Sequence, residues 1–320
     1  MEFYFIKEKF IISRTDAKKM KKTLVNPHIK ILILVLSSNT YPSSRNKEAI
    51  KKTWGSNLSD NFRIIFYESG EDEKIVEDTL FVQTDTSSKN LGIKLLLALD
   101  WCNKNIDYDF IFRTNTSSFV NKVQLENYIS NNLIQKEYVY CGIPLIRDYK
   151  ESQKKINFLS GAGIILNKKT IQLILKNREY WDHNEWEDVA LGKLLEENNI
   201  TFLTGRRQDI KNNFYNNFID NTNYHFRCRL DNHYGYPRFL ESFVLADMHK
   251  ILNLKELNNI EKFIKKYIFY LLKIFRVDSP RLKIYRVIKY FLKKILPKQI
   301  FNHLKKIKPH TLKKFLGERL

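Results

Sequence analysis

Ile29-Lys-Ile-Leu-Ile-Leu-Val-Leu36 is a nearly unbroken apolar run, closed by a polar stretch at residues 37–44. A strand with one wet face alternates apolar and polar residues. A run without alternation belongs to a strand covered on both faces, and such strands occur in parallel sheets flanked by helices. The chain keeps to this plan. Further strands are expected at 63–67, 80–83 and 109–113, and helices at 45–54 and 91–102 lie between them. This alternation predicts an α/β fold, a Rossmann-like mixed sheet flanked by helices. Strands at 138–141 and 158–166 and helices at 169–178 and 187–197 extend it, and the acidic stretch after Gly70 reads as helical.

Charge divides the 320 residues unevenly. Residues 250–320 hold 20 Lys and Arg against 4 Asp and Glu, which accounts for 16 of the net +20. The preceding body is nearly neutral, which argues against a nucleic-acid-binding protein and for a basic tail on a neutral domain. The expected organisation is an N-terminal extension at 1–26, a domain at 27–250 and a basic amphipathic helical tail at 251–320. In the tail, Ile260, Phe263, Ile264, Tyr267, Ile268, Leu271 and Leu272 recur at helical spacing among lysines. Such helices fit an anionic membrane surface, or they complete the core and expose a solvated basic face. No run is long enough to span a membrane. The N-terminus lacks the order of a secretion signal, and Cys102, Cys141 and Cys228 form no C-x-x-C pair. A reducing, cytoplasmic setting with peripheral membrane attachment is the expectation.

The chemistry-bearing residues gather in a few segments. Phe110-Ile-Phe-Arg-Thr-Asn115-Thr116-Ser117-Ser118-Phe-Val-Asn121 is a strand running into a short polar turn, at the strand end where open α/β sheets bind ligands. Glu187-Asp188 opens an apolar helical run, where acids also favour the helix dipole by ~0.3–1 kcal/mol. Gly161 and Gly163 can admit a ligand to the backbone or serve tight strand packing. Arg45, Lys51 and Lys94 follow expected strand ends, and His225, Arg227 and Arg229 cluster late in the chain.

Taken in order, these segments resemble the β-1,3-galactosyltransferase-like and Fringe-like glycosyltransferases. Arg45-Asn-Lys-Glu-Ala-Ile50-Lys51-Lys-Thr53-Trp54-Gly55 is similar to the family's R-x-x-x-I-R-x-T-W helix, with one extra spacer residue and Lys51 in place of Arg. Asn90-Leu91-Gly-Ile-Lys94 with Trp101 is similar to N-L-T-x-K-T...W, Glu187-Asp188-Val189-Ala-Leu-Gly192 to E-D-V-x-x-G, and Tyr224-His225 to the C-terminal histidine segment. The resemblance covers roughly 29–250 and implies a GT-A fold and an inverting transferase. That enzyme would move a hexose or N-acetylhexosamine from a UDP-sugar to a saccharide or glycolipid acceptor in surface-glycan synthesis. It implies that Asp188, with Glu187 second, takes the acceptor proton. The donor would lie against Arg45, Lys51, Lys94, Arg113, Asn115, Thr116, Ser117, Gly161, Gly163, His225, Arg227 and Arg229.

One departure stands out. The family's turn is an acidic D-x-D that holds Mn²⁺ or Mg²⁺, whereas the matching residues here are Asn115, Thr116 and Ser117. Neutral oxygens are poor ligands for a hard dication. Three solutions are open: basic side chains replace the metal (Arg113, Arg206, Arg207, Arg227, Arg229), a weak Mn²⁺ or Mg²⁺ site persists through Asn115, Ser117 and His225, or the fold is a catalytically inactive sugar-nucleotide or glycan binder.

Overall fold

The computed structural model describes residues 28–149, 154–210, 218–230 and 238–253. The N-terminal extension and all of the basic tail beyond Asn253 lie outside the described residues.

Eleven strands and six α-helices are seen among the described residues. In chain order they are β1 (Ile31–Leu36), α1 (Ser43–Lys51), β2 (Phe62–Gly70), β3 (Lys74–Val76), β4 (Thr79–Gln83), α2 (Leu91–Asn105), β5 (Phe110–Asn115), β6 (Ser118–Val120), α3 (Lys122–Asn132), β7 (Tyr140–Tyr149), β8 (Lys154–Asn167), α4 (Lys168–Lys176), α5 (Glu187–Glu197), β9 (Leu203–Thr204), β10 (Arg207–Asp209), β11 (His225–Arg227) and α6 (Glu241–Leu252). Eight strands form one sheet in the order β3-β4-β2-β1-β5-β8-β7-β9. Strands β1, β2, β4 and β5 run parallel, while β8 turns antiparallel against β5 and β7 antiparallel against β8.

The apolar run of β1 is buried on both faces, as its lack of alternation requires. Ile31, Ile33 and Val35 pack with residues of α1, α3 and α6, including Ile50, Leu125, Ile129 and Val244. Leu32 and Leu34 face α2, α4 and α5 through Leu95, Leu99, Ile171 and Leu191. Successive side chains of a strand point to opposite faces, so one short segment anchors two helical layers.

Register then fixes the working rim. Leu36 lies opposite both Tyr67 and Asn115, which brings the carboxyl ends of β1, β2 and β5 level. The chain leaves β1 towards β2 on one side and returns to β5 on the other. That is a topological switch point, the place where open α/β sheets leave a crevice. The small sheet β10-β11-β6 joins the large one here, because β6 directly follows the Asn115–Ser117 turn and pairs with β11.

The acidic stretch after Gly70 departs from the helical expectation. Lys74–Val76 pairs antiparallel with Thr79–Phe81 as an edge hairpin. Glu77 adopts φ 54° at its tip, a turn conformation that stops a helix from propagating. An edge strand is solvated and its charges need not alternate, so its composition imitated a helix. No helix among the described residues is long and apolar enough to cross a membrane.

Candidate active site

Glu187 and Asp188 are the first two residues of α5, and the capping position before them, Trp186, supplies no side-chain cap. The two neighbouring acids have different surroundings. Glu187, its side chain 10% exposed, packs against Arg113, whose guanidinium donates to one of its oxygens and to the Tyr67 hydroxyl at 3.1 Å. The other oxygen, Oε2, is buried without a partner among the described residues. Burial pushes the Glu187 carboxyl above the usual carboxylate range, and Arg113 beside it pulls it back. Asp188 is half-buried, and its Oδ2 accepts the Gly161 N–H at 3.0 Å. One acid is thus held in an ion pair, while the other is fixed by a backbone amide at the strand rim.

The glycines of β8 make this packing possible. A Cβ on Gly161 would stand 2.8 Å from Arg113 Nη1, 3.1 Å from Glu187 Oε1 and 3.2 Å from Asp188 Oδ2. At Gly163 it would lie 2.4 Å from His225 Nδ1 and 2.5 Å from Cε1. The His225 ring is fully buried, edge-on to Phe112 with centroids 5.4 Å apart, and has no room to retreat. Gly163→Ala is therefore expected to destabilise the fold by ~1–3 kcal/mol, read as a drop in denaturant midpoint.

His225 acts as a packed core residue. Its Nε2 lies 3.0 Å from Ser118 Oγ and its Nδ1 faces Gly163. Burial first, then Arg207 and Arg227, hold its pKa well below the ordinary histidine value, so the ring is neutral.

The Asn-Thr-Ser turn is closed by its own side chains. Asn115 Oδ1 accepts the Ser117 N–H at 3.0 Å, and Thr116 Oγ1 lies 3.1 Å from Ser43 Oγ at the start of α1. Ser117 Oγ donates to Glu241 Oε2 at 2.8 Å and accepts from Arg238 Nη2 at 3.2 Å. These residues do not fit a divalent cation. Their oxygens are neutral, Ser117 and His225 are committed to other partners, and no group of three or more His, Cys, Asp and Glu gathers among the described residues. Asn115, Ser117 and His225 therefore do not form the weak metal site that the sequence left open.

The cations separate into three groups. Lys94 on α2 is 4% exposed, feels Glu187, Glu68 and Asp85, and makes no hydrogen bond or ion pair among the described residues. Burial lowers its pKa. Next to Asp85, a cavity of about 510 Å³ opens between the ends of β2 and β4, lined by Ser69, Gly70, Gln83 and Thr84. Arg227 lies opposite Ser118 in the β6–β11 ladder, with Nε buried and unpartnered among the described residues, and burial and Arg207 lower its pKa. Arg207 is taken up by Ser160 at 2.9 Å and Asp209 at 2.7 Å, Arg206 sits over Tyr128, and Arg229 is exposed.

Of two basic residues of α1, one is brought beside α6 and the other is not. Arg45 sits over the Phe243 ring of α6, 5.0 Å from its centroid. Lys51, at the far end of the nine-residue helix, pairs with Asp78 at 2.9 Å and is not brought to the other residues. Trp54, whose Nε1 donates to Ser118 O at 3.0 Å, is a core residue.

Arg238 and Glu241 were not singled out from the sequence. Glu241 is completely buried, lies 124 residues from Ser117, and offers no local pattern beyond its i,i+3 spacing from Arg238.

The sequence model of the galactosyltransferase family matches residues 45–204. Among curated proteins, the UDP-GalNAc:beta-1,3-N-acetylgalactosaminyltransferase 2 of Xenopus tropicalis is 21% identical over 133 residues, a match spanning 38% of this chain and 27% of the frog protein. Among solved structures, a glycosyltransferase involved in the glycosylation of the major capsid of PBCV-1 aligns with a TM-score of 0.41 and 11% identity, over 68% of this chain and 98% of its own. The 4-diphosphocytidyl-2C-methyl-D-erythritol synthase of Anaerococcus prevotii aligns with a TM-score of 0.34 and 12% identity, over 55% and 87%.

Proposed function

The chain belongs to the galactosyltransferase family, and from that premise we propose that it is a glycosyltransferase carrying out an inverting, GT-A-type transfer of a hexose or N-acetylhexosamine from a UDP-sugar to a saccharide hydroxyl, giving a β linkage. The observation that carries this reading is the division of labour between the two acids. Inversion needs one carboxylate to take the acceptor proton as that oxygen attacks the anomeric carbon. Asp188 is half-buried at the rim and oriented by the Gly161 amide, whereas Glu187 is occupied by Arg113.

In the step itself the acceptor O–H proton passes to Asp188 and the new C–O bond forms at the anomeric carbon. The bond to the diphosphate oxygen breaks, and the diphosphate leaves with the electron pair. Charge grows on that leaving group, so a nearby cation lowers the barrier. Lys94 and Arg227, each with a donor unpartnered among the described residues, add positive potential near the two acids.

Trp186, 70% exposed and directly ahead of the two acids, offers an aromatic face to the acceptor sugar. Glu185 ties the same loop to the β7–β8 hairpin through Arg147 at 3.1 Å and through the Tyr149 hydroxyl. Trp186→Ala is expected to raise the acceptor KM by about 2- to 10-fold and leave the donor KM unchanged.

The test of the whole reading is a panel of UDP-hexoses and UDP-N-acetylhexosamines with saccharide acceptors, the product anomer being read by NMR. A β-linked product with stoichiometric UDP release is the expected result. An α-linked product, or turnover only with a different nucleotide, overturns it.

A further inference from the structure

Resting on the reading of a nucleoside-diphosphate donor, we infer that Arg238, clamped by Glu241 onto the Asn-Thr-Ser turn, is the cation that faces the donor's diphosphate in place of a divalent metal. Ser117 stands at the third position of the turn, where the resembling family has an acid. Its Oγ lies 2.8 Å from Glu241 Oε2 and 3.2 Å from Arg238 Nη2. A carboxylate at 117 would meet the Glu241 carboxylate in a buried space, and two such charges cannot both stay ionised there. Glu241 and an acidic turn therefore exclude one another. Here the buried carboxylate beside the turn stands on α6.

A cation stands beside it. Glu241 is fully buried and accepts five hydrogen bonds from the described residues. Asn46 Nδ2 donates at 2.7 Å, Ser117 Oγ at 2.8 Å and the Leu230 N–H at 3.1 Å, while Arg238 donates through Nε at 2.8 Å and Nη2 at 3.2 Å. These bonds tie α1, the turn and α6 to one carboxylate, so the guanidinium is preorganised rather than swinging on a free stem. Of its five N–H donors, those on Nη1 bond to none of the described residues, and the side chain is 35% exposed. A planar fork with donors that no described residue takes, held at the carboxyl end of β5, matches phosphate oxygens. Arg113, on β5 itself, is taken up by Glu187 and shares the face of Ile111, which packs among α2, α4 and α5. The exchange preserves charge balance: carboxylates with a dication become one carboxylate with one guanidinium.

The experiment measures UDP and uridine binding to the full chain by calorimetry, with EDTA and with Mn²⁺. Wild type is expected to bind UDP equally in both. Arg238→Gln, which keeps a donor to Glu241, should weaken UDP by ~10- to 100-fold and leave uridine unchanged, with thermal melting confirming the fold. UDP binding equal to wild type in Arg238→Gln, or wild-type binding that disappears in EDTA and returns with Mn²⁺, overturns the inference and leaves the donor reading standing. If wild type binds UDP under neither condition, the donor reading falls and takes this inference with it. Should Arg238→Gln not fold, Arg238→Lys, which keeps the charge but loses the fork, decides the matter. A several-fold loss of UDP affinity supports the assignment, and an unchanged affinity overturns it.

Discussion

Asp188→Asn is expected to reduce glycosyl transfer by ~10²- to 10⁴-fold, the range lost when a positioned general base is removed. The amide keeps the shape of the carboxylate and can still accept the Gly161 N–H through its oxygen, so the variant should melt like wild type and bind UDP as tightly. Turnover is thus predicted to fall in kcat with little change in donor KM. Glu187→Gln provides the contrast: its side chain sits in the Arg113 pair, so its effect should appear chiefly in stability. Full turnover by Asp188→Asn would remove the base assignment.

The second large effect concerns Arg113. Removing one partner of a buried ion pair leaves the other charge uncompensated, at a cost of about 3–5 kcal/mol. Arg113→Leu should lose that much at neutral pH, because Glu187 Oε2 is buried and already lacks a partner among the described residues. The pH dependence follows from the direction of the Glu187 shift. Its folded carboxyl titrates above the unfolded one, so the folded state holds the proton more tightly. Its contribution to stability therefore falls as pH rises from the ordinary carboxylate value through the raised one. Without Arg113 the shift grows, and the deficit should be smallest at and below the ordinary carboxylate value and largest above the raised one. Urea unfolding of both proteins across this range checks the trend. A deficit that does not vary with pH would count against it.

Much of this architecture is legible in the order of the amino acids, and the reasons are local. The β1 run declares two covered faces, Asn115–Ser117 follows directly from an apolar strand, and the expected span 187–197 coincides with α5 (Glu187–Glu197). What stays hidden depends on distance or direction. Lys51 follows a strand end in sequence, yet nine helical residues carry it away from the rim to Asp78. The different roles of Glu187 and Asp188 depend on which one meets Arg113, 74 residues earlier. Glu241 gives no sign of being the anchor of the turn, since its partners come from four separate segments. The acidic edge hairpin misleads for the opposite reason: solvent, rather than packing, chose its residues.

The eight-stranded sheet ends in two stubs. On one flank β3 contributes three residues, Lys74–Val76, and on the other β9 contributes two. So few unpaired amides and carbonyls give a neighbouring molecule little backbone to zip onto. A sheet this wide would otherwise be prone to pairing edge to edge, so the shortness of its margins lets the interior strands remain strongly hydrophobic with little backbone on offer to other copies.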